Sequence, residues 1–243
     1  MSEHDNKRRG ESVTARTHTA PADQAIPFSQ LRGWFFDLDG TLMDSDDQAV
    51  EGLARRLRFI GATRSQGLAR RLVMLGETPM NSALAWLDFA GLDRWIFRLR
   101  RRLSRQIKPT FRLIDGTRPL ITHLATRSQL AVVSTRSAED ATVFLAQHGL
   151  TAYFSLSVTQ ETTKRLKPHP EPVLHAAQHL GLEPAECVMV GDTPVDILSA
   201  RRASAWAIGV LCGFGREQEL WRAGAHLVLP STADILALVQ DQQ

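Results

Sequence analysis

The chain has 243 residues, 43% hydrophobic and 23% charged, with a formal net charge of +3. That is an ordinary globular composition, sized for one large domain or one domain with an insert. No apolar run approaches the ~20 residues of a membrane span, no apolar stretch follows Lys7, Arg8 and Arg9 to make a secretion signal, and two cysteines, Cys187 and Cys212, are too few for a disulfide framework. A cytoplasmic location is the default reading. The charge is uneven: residues 46–118 hold 15 Lys and Arg against 7 Asp and Glu, a net +8, and the remainder holds 14 against 19, a net −5.

Residues 1–31 are polar and without periodicity, and read as a disordered tail. The segment "LRGWFFDLD" reads as a strand ending in Asp37 and Asp39. From Asp46 to about Arg105, within a segment bounded at residues 45–118, the pattern is helical. Leu53, Leu57 and Ile60 recur at helical spacing, and Gly61, Gly76 and Gly91 punctuate about four helices. This stretch is expected to form a basic helical insert. Beyond it come an apolar strand "LAVVST" and the helix "AEDATVFLAQHGL" with Gly149 as its C-terminal cap. A weaker strand "FSLSVT" and the helix "PEPVLHAAQHLGL" follow. The buried strand "CVMVGD" and the helix "PVDILSARRAS" precede two short strands, "AWAIGV" and "HLVLP". Strands alternating with helices predict an α/β fold, a doubly wound, Rossmann-like parallel sheet, interrupted by the helical insert after its first strand. Residues 32–44 and 119–243 would make the core.

In an open parallel sheet, ligands bind at the carboxyl ends of the strands. Those ends carry Asp37 and Asp39, then Ser134 and Thr135, then Asp192, with Asp196 four residues on. Lys167 lies in the loop "RLKPHP" ahead of the "CVMVGD" strand. Carboxylates crowded on one rim cannot all ionise without a cation, and this many oxygen ligands suit Mg²⁺. Alternate strand residues share a side, so Asp37 and Asp39 could approach one centre. Ser134 and Lys167 suit the oxygens of a phosphoryl group. A carboxylate can itself be the nucleophile, and a neighbouring acid can protonate the leaving oxygen and then activate water.

The segments "DLDGT", "VVSTR", "KPHP" and "GDTPVD", in this order, resemble the four motifs of the haloacid dehalogenase (HAD)-like hydrolases, nearest to the phosphoglycolate phosphatase and β-phosphoglucomutase branch. The resemblance covers about residues 32–235. It implies Asp37 as nucleophile and Asp39 as general acid/base, with the Asp39 backbone carbonyl on Mg²⁺. It implies Ser134 and the Thr135 amide on the phosphoryl oxygens, and Lys167 neutralising charge. Asp192 would bind Mg²⁺ directly, and Asp196 directly or through water. Gly40 and Thr41 would begin a mobile hairpin, and the insert would be the cap. Two positions depart from the branch. Ser134-Thr135-Arg136 stands where Thr-Asn-Lys is usual, which leaves the leaving group undetermined, and His226 stands where Asp is usual.

Other features have plainer readings. Asp44 is expected to cap a helix beginning near Asp46. His175 and His179 have zinc-like spacing but lack a third ligand, and read as solvated helix histidines. Lys164 is the competitor of Lys167, which the flanking Pro168 and Pro170 favour. The basic run "FRLRRRLSR" reads first as a solvated helix face, then as a means of steering an anionic substrate, with nucleic acid not favoured. Arg70 and Arg71 are the candidate substrate contacts of the insert. The expectation is a Mg²⁺-dependent phosphatase for a small, anionic phosphate monoester. A phosphomutase or a non-enzymatic binding protein on the same scaffold are the alternatives. The sequence carries no signal of oligomeric state.

Overall fold

The structure, a computed structural model, describes residues 25–44 and 111–240. Residues 45–110 of the expected insert, with Arg70, Arg71 and the basic run, lie outside the described residues, as does the helix that Asp44 was expected to cap. Among the described residues eight strands follow in chain order: β1 (Gly33–Phe36), β2 (Met43–Asp44), β3 (Arg112–Leu113), β4 (Gln129–Val133), β5 (Phe154–Val158), β6 (Cys187–Gly191), β7 (Trp206–Val210) and β8 (Leu227–Leu229). The helices among the described residues are α1 (Thr117–Leu124), α2 (Ala138–Gln147), α3 (Glu171–His179), α4 (Pro194–Arg202), α5 (Glu217–Arg222) and α6 (Ile235–Gln240). Six strands form one sheet in the order β5-β4-β1-β6-β7-β8. Every pairing in it is parallel.

Parallel strands buried on both faces read as continuous apolar runs, and here each run divides by alternation into two cores. Trp34, Phe36, Leu130, Val132, Val188, Val190, Ile208 and Val210 point into one, where α1, α2 and α6 supply Leu120, Phe144 and Ile235. Phe35, Ala131, Val133, Met189 and Ala207 point into the other, against Val173 and Ala176 of α3, Ile197 and Ala200 of α4, and Leu220 of α5. This is the doubly wound α/β arrangement. Gly149 and Gly181 end α2 and α3 with φ of 58° and 66°, the left-handed conformation that closes a helix without Cβ strain.

Two boundaries differ from the composition-based reading. Ile26 and Leu31 are buried, and Phe28 stacks on Trp34 with ring centroids 6.2 Å apart, so the packed chain begins within the polar N-terminal segment. The chain also leaves for the insert and returns from it through a two-stranded antiparallel ribbon, with Met43 opposite Leu113 and Asp44 opposite Arg112. Asp44 therefore lies in a strand.

β1 and β6 are adjacent at the centre of the sheet, and their carboxyl ends open on the same rim. From β1 the chain runs out through β4 to β5 on one side, then crosses from β5 to β6 on the other, so the sheet's switch point falls here.

Candidate active site

The rim is built by extending the ladders one residue beyond the strands. The Asp37 amide donates to Val190 O at 3.0 Å, and the Ser134 amide donates to Val158 O at 2.9 Å. Each side chain is thus anchored at a strand end. After Asp37 the chain folds into a tight turn, in which the amides of Leu42 and Met43 both donate to Leu38 O. Gly40 adopts φ +68°, and a Cβ there would stand 2.3 Å from Asp192 Oδ2. Only glycine lets the turn approach Asp192 this closely.

Asp37, Asp192 and Asp196 are buried, each with a carboxylate oxygen within 4.8 Å of the others'. Lys167 Nζ, its side chain 3% exposed, donates to Asp37 Oδ1 at 2.8 Å, Asp196 Oδ1 at 2.6 Å and Val133 O at 2.8 Å. The loop that delivers Lys167 is pinned from several directions. Glu171 accepts from the amides of Lys164 and Arg165, Ser199 Oγ donates to His169 O, and Arg202 donates to Pro168 O. Lys164 itself is exposed.

Asp196 serves two neighbours. Its Oδ2 accepts from the Thr193 amide and hydroxyl, closing the capping box of α4, and its Oδ1 takes Lys167. Asp192 accepts from the Phe214 amide at 2.8 Å and, at a long 3.5 Å, from Thr41 Oγ1. Thr41 is fully buried and turned toward Asp192, and Thr232 Oγ1 holds its carbonyl at 2.6 Å. Ser134 Oγ accepts from the Arg136 amide at 3.2 Å, leaving its own hydrogen to donate elsewhere.

With all three carboxylates ionised, this buried cluster would carry two negative charges beyond the one ammonium of Lys167. Burial, opposed by Lys167 and reinforced by Asp196 and Asp39, pushes the Asp37 carboxyl up to about 7. Burial, with Asp196 and Asp37, holds Asp192 well above the usual carboxylate range. Burial works against a charged Lys167, but Asp196 and Asp37 outweigh it and raise the ammonium above its ordinary value. Converging, under-neutralised carboxylate oxygens fit a hard metal cation.

The carboxylate of Asp39 is outside this cluster. β1 ends at Phe36, so strand alternation does not carry through to Asp39, and the turn directs its side chain elsewhere. Both its oxygens accept from Arg136, Oδ2 from Nε and Oδ1 from an Nη, each at 2.6 Å. The segment Gly213-Phe214-Gly215 also belongs to the site, outside every motif of the sequence. The Phe214 amide binds Asp192, and a Cβ on Gly213 would stand 2.2 Å from the Asp192 carboxylate. Two glycines directly after a parallel strand were the available signal. His226 lies far along the chain beside Arg201 and accepts from the Ala207 amide at 3.0 Å, a packing role. The rings of His175 and His179 lie against each other at a tilt, with centroids 4.0 Å apart.

Residues 34–210 match the family model for haloacid dehalogenase-like hydrolases. A pyrophosphatase PpaX from Oceanobacillus iheyensis is 26% identical over 87% of this chain and 98% of the relative. A phosphoglycolate phosphatase from Pectobacterium atrosepticum is 29% identical over 86% of this chain and 92% of the relative. With a pyrophosphatase PpaX from Bacillus pumilus the identity is 36%, over 46% of this chain and about half (51%) of the relative. Among solved structures, a predicted phosphoglycolate phosphatase from Haemophilus somnus superposes with a TM-score of 0.63 at 22% identity, over 87% of this chain and 99% of that one. A protein assigned as a β-phosphoglucomutase from Thermotoga maritima superposes with a TM-score of 0.62 at 24% identity, over 88% and 100%. At such identities the structural likeness concerns the fold.

Proposed function

The chain belongs to the haloacid dehalogenase-like hydrolases, and from that premise we propose that it is a Mg²⁺-dependent phosphatase for a small phosphate monoester. The observation that carries this reading is the cluster of Asp37, Asp192 and Asp196 on one rim, with Lys167 bridging two of them. Asp37, Asp192 and Asp196 would hold the Mg²⁺. Bound there, the ion would supply charge neutralisation for the phosphoryl oxygens.

The protein's own residues divide the remaining work. Asp37 attacks phosphorus through a carboxylate oxygen and forms an aspartyl phosphate as the bond to the leaving oxygen breaks. Lys167 holds Asp37 Oδ1 and balances the charge of the incoming phosphoryl group. The Ser134 hydroxyl and the Thr135 amide receive phosphoryl oxygens. Asp39 gives a proton to the leaving oxygen, then takes one from the water that hydrolyses the aspartyl phosphate. Thr41 and the Phe214 amide orient Asp192. Arg70 and Arg71 in the proposed cap, residues 45–118, are carried forward as substrate contacts.

The relatives' names make phosphoglycolate and pyrophosphate the first substrates to try. Release of inorganic phosphate from these, sugar phosphates and nucleoside monophosphates, with and without Mg²⁺, tests the proposal. Mg²⁺-dependent release biased to one class is expected. A sugar phosphate isomerised without net release would instead identify a mutase.

A further inference from the structure

The Asp39–Arg136 pair is bidentate, yet it occupies the residue to which the proposed function gives proton transfer. Its two hydrogen bonds are as short as any in the buried cluster, 2.6 Å each. Both side chains nonetheless remain accessible, Arg136 at 27% and Asp39 at 29%. A ligand in the site could therefore reach the pair.

Arg136 is also tethered independently of Asp39. Its Nη1 lies 3.7 Å from Asp140 in the first turn of α2, and its guanidinium carbon lies 5.4 Å from the centroid of Phe111. Phe111 immediately precedes β3, and its carbonyl is held by His148 Nε2 at 3.0 Å. Without Asp39, the guanidinium would still be steadied over the rim. Its amide is fixed to Ser134 Oγ, so the loop offering Ser134 and Thr135 to a phosphoryl group presents Arg136 two residues further out. Because Asp39 would face the leaving oxygen, a guanidinium bonded to Asp39 stands beside the leaving half of the substrate.

Resting on the phosphatase reading above, we propose that Arg136 is a specificity-determining residue that exchanges partners. Before substrate binds it clamps the Asp39 carboxylate. An anionic group on the leaving half, a carboxylate or a second phosphate, then takes the guanidinium and frees Asp39. The chemistry follows from the fork itself. A guanidinium stays charged and pairs two-pronged with carboxylate or phosphate oxygens. Asp39 is thus an internal stand-in for the ligand's anion. A neutral leaving group has nothing to offer in exchange and leaves the clamp closed.

The test compares phosphoglycolate with ethylene glycol monophosphate, which differs by carrying an alcohol in place of the carboxylate. The ratio of kcat/KM for the anionic over the neutral ester is measured in the parent protein, Arg136→Met and Arg136→Lys. Loss of a charged hydrogen-bonding partner predicts that the ratio falls about 10- to 100-fold in Arg136→Met. The fall is expected chiefly in KM, with partial recovery in Arg136→Lys. A ratio unchanged in Arg136→Met, with both esters affected equally, overturns the proposal and leaves the pair a structural one. Calorimetric binding of the two esters to Asp37→Asn, with and without Arg136→Met, gives a readout independent of turnover. If the parent protein releases phosphate from neither ester nor from any member of the wider panel, the phosphatase reading fails. The calorimetry then still decides for Arg136: selective loss of the anionic ester supports the anion exchange, and equal binding of both overturns it. Should Arg136→Met not fold, Arg136→Lys and Arg136→Gln carry the same comparison.

Discussion

Lys167 and Arg136 face the same short turn from two sides, each paired with an aspartate of "DLD", and they differ in what surrounds them. Lys167 is enclosed, donating to Asp37, Asp196 and Val133 O with its side chain 3% exposed. Arg136 lies at the mouth, 27% exposed, sharing one carboxylate and touching a second. Removing one member of a buried pair strands the other's charge, whereas a solvent-accessible pair is screened and can be traded for another anion. Lys167 is accordingly part of the fixed frame of the site, and Arg136 is placed to respond to what enters it.

The largest test of this contrast removes the frame's reactive end. Asp37→Asn should lower turnover by at least about a thousandfold, with an unchanged far-ultraviolet circular dichroism spectrum. Phosphate release near the parent rate would take Asp37 out of the chemistry. Next comes Lys167→Met. It leaves Asp37 and Asp196 without their cation and should cost about 3–5 kcal/mol of stability in urea unfolding, together with about 10²- to 10³-fold in turnover. A variant as stable as the parent would mean that Lys167 is no more embedded than Arg136.

The excess negative charge gives a third test. Mg²⁺ at about a hundred times its dissociation constant should stabilise the parent protein by about 2.7 kcal/mol. In Asp192→Asn the metal-dependent rise in melting temperature should largely vanish, while the metal-free protein melts no lower than the parent. An equal metal response in both proteins would place the ion elsewhere.

A fourth test lies away from the rim. Burial and the neighbouring Arg201 hold His226 down to about 4. Between that value and the ordinary histidine range the unfolded chain binds the extra proton, so this residue's contribution to stability falls as pH drops through that window. The slope from one such group reaches at most about 1.4 kcal/mol per pH unit. His226→Gln should flatten the acid limb of a melting-temperature profile from pH 6.5 down to about 4. A profile with the same acid limb would remove His226 from the account.

Much of the sheet was legible because parallel strands buried on both faces are unbroken apolar runs. "LAVV", "VMVG" and "AIGV" each declare themselves locally. The elements that escaped lack such a signal. β2 and β3 are two residues each and belong to opposite ends of the insert, so no local pattern joins them. α1 carries Pro119 within its first turn, which masks an eight-residue helix, and α5 and α6 have six residues each.

The site divides in the same way. Asp37, Ser134, Asp192 and Asp196 could be placed because strand ends of a parallel sheet meet on one rim. Arg136 was visible only as a departure from a familiar motif. Its partner lies 97 residues away, and an ion pair across that separation leaves no trace in either local sequence. The Phe214 amide on Asp192 is a backbone contact, equally silent in side-chain identity.

Phosphoryl transfer through Asp37 would leave the phosphoryl group on that residue during turnover. Acid quenching during turnover of phosphoglycolate or pyrophosphate with Mg²⁺, followed by peptide mass spectrometry, tests it most directly. The account predicts a hydroxylamine-labile phosphoryl group on the peptide bearing Asp37, absent when the protein is Asp37→Asn. Phosphate release that persists in Asp37→Asn, with no adduct on that peptide in the parent, would contradict it.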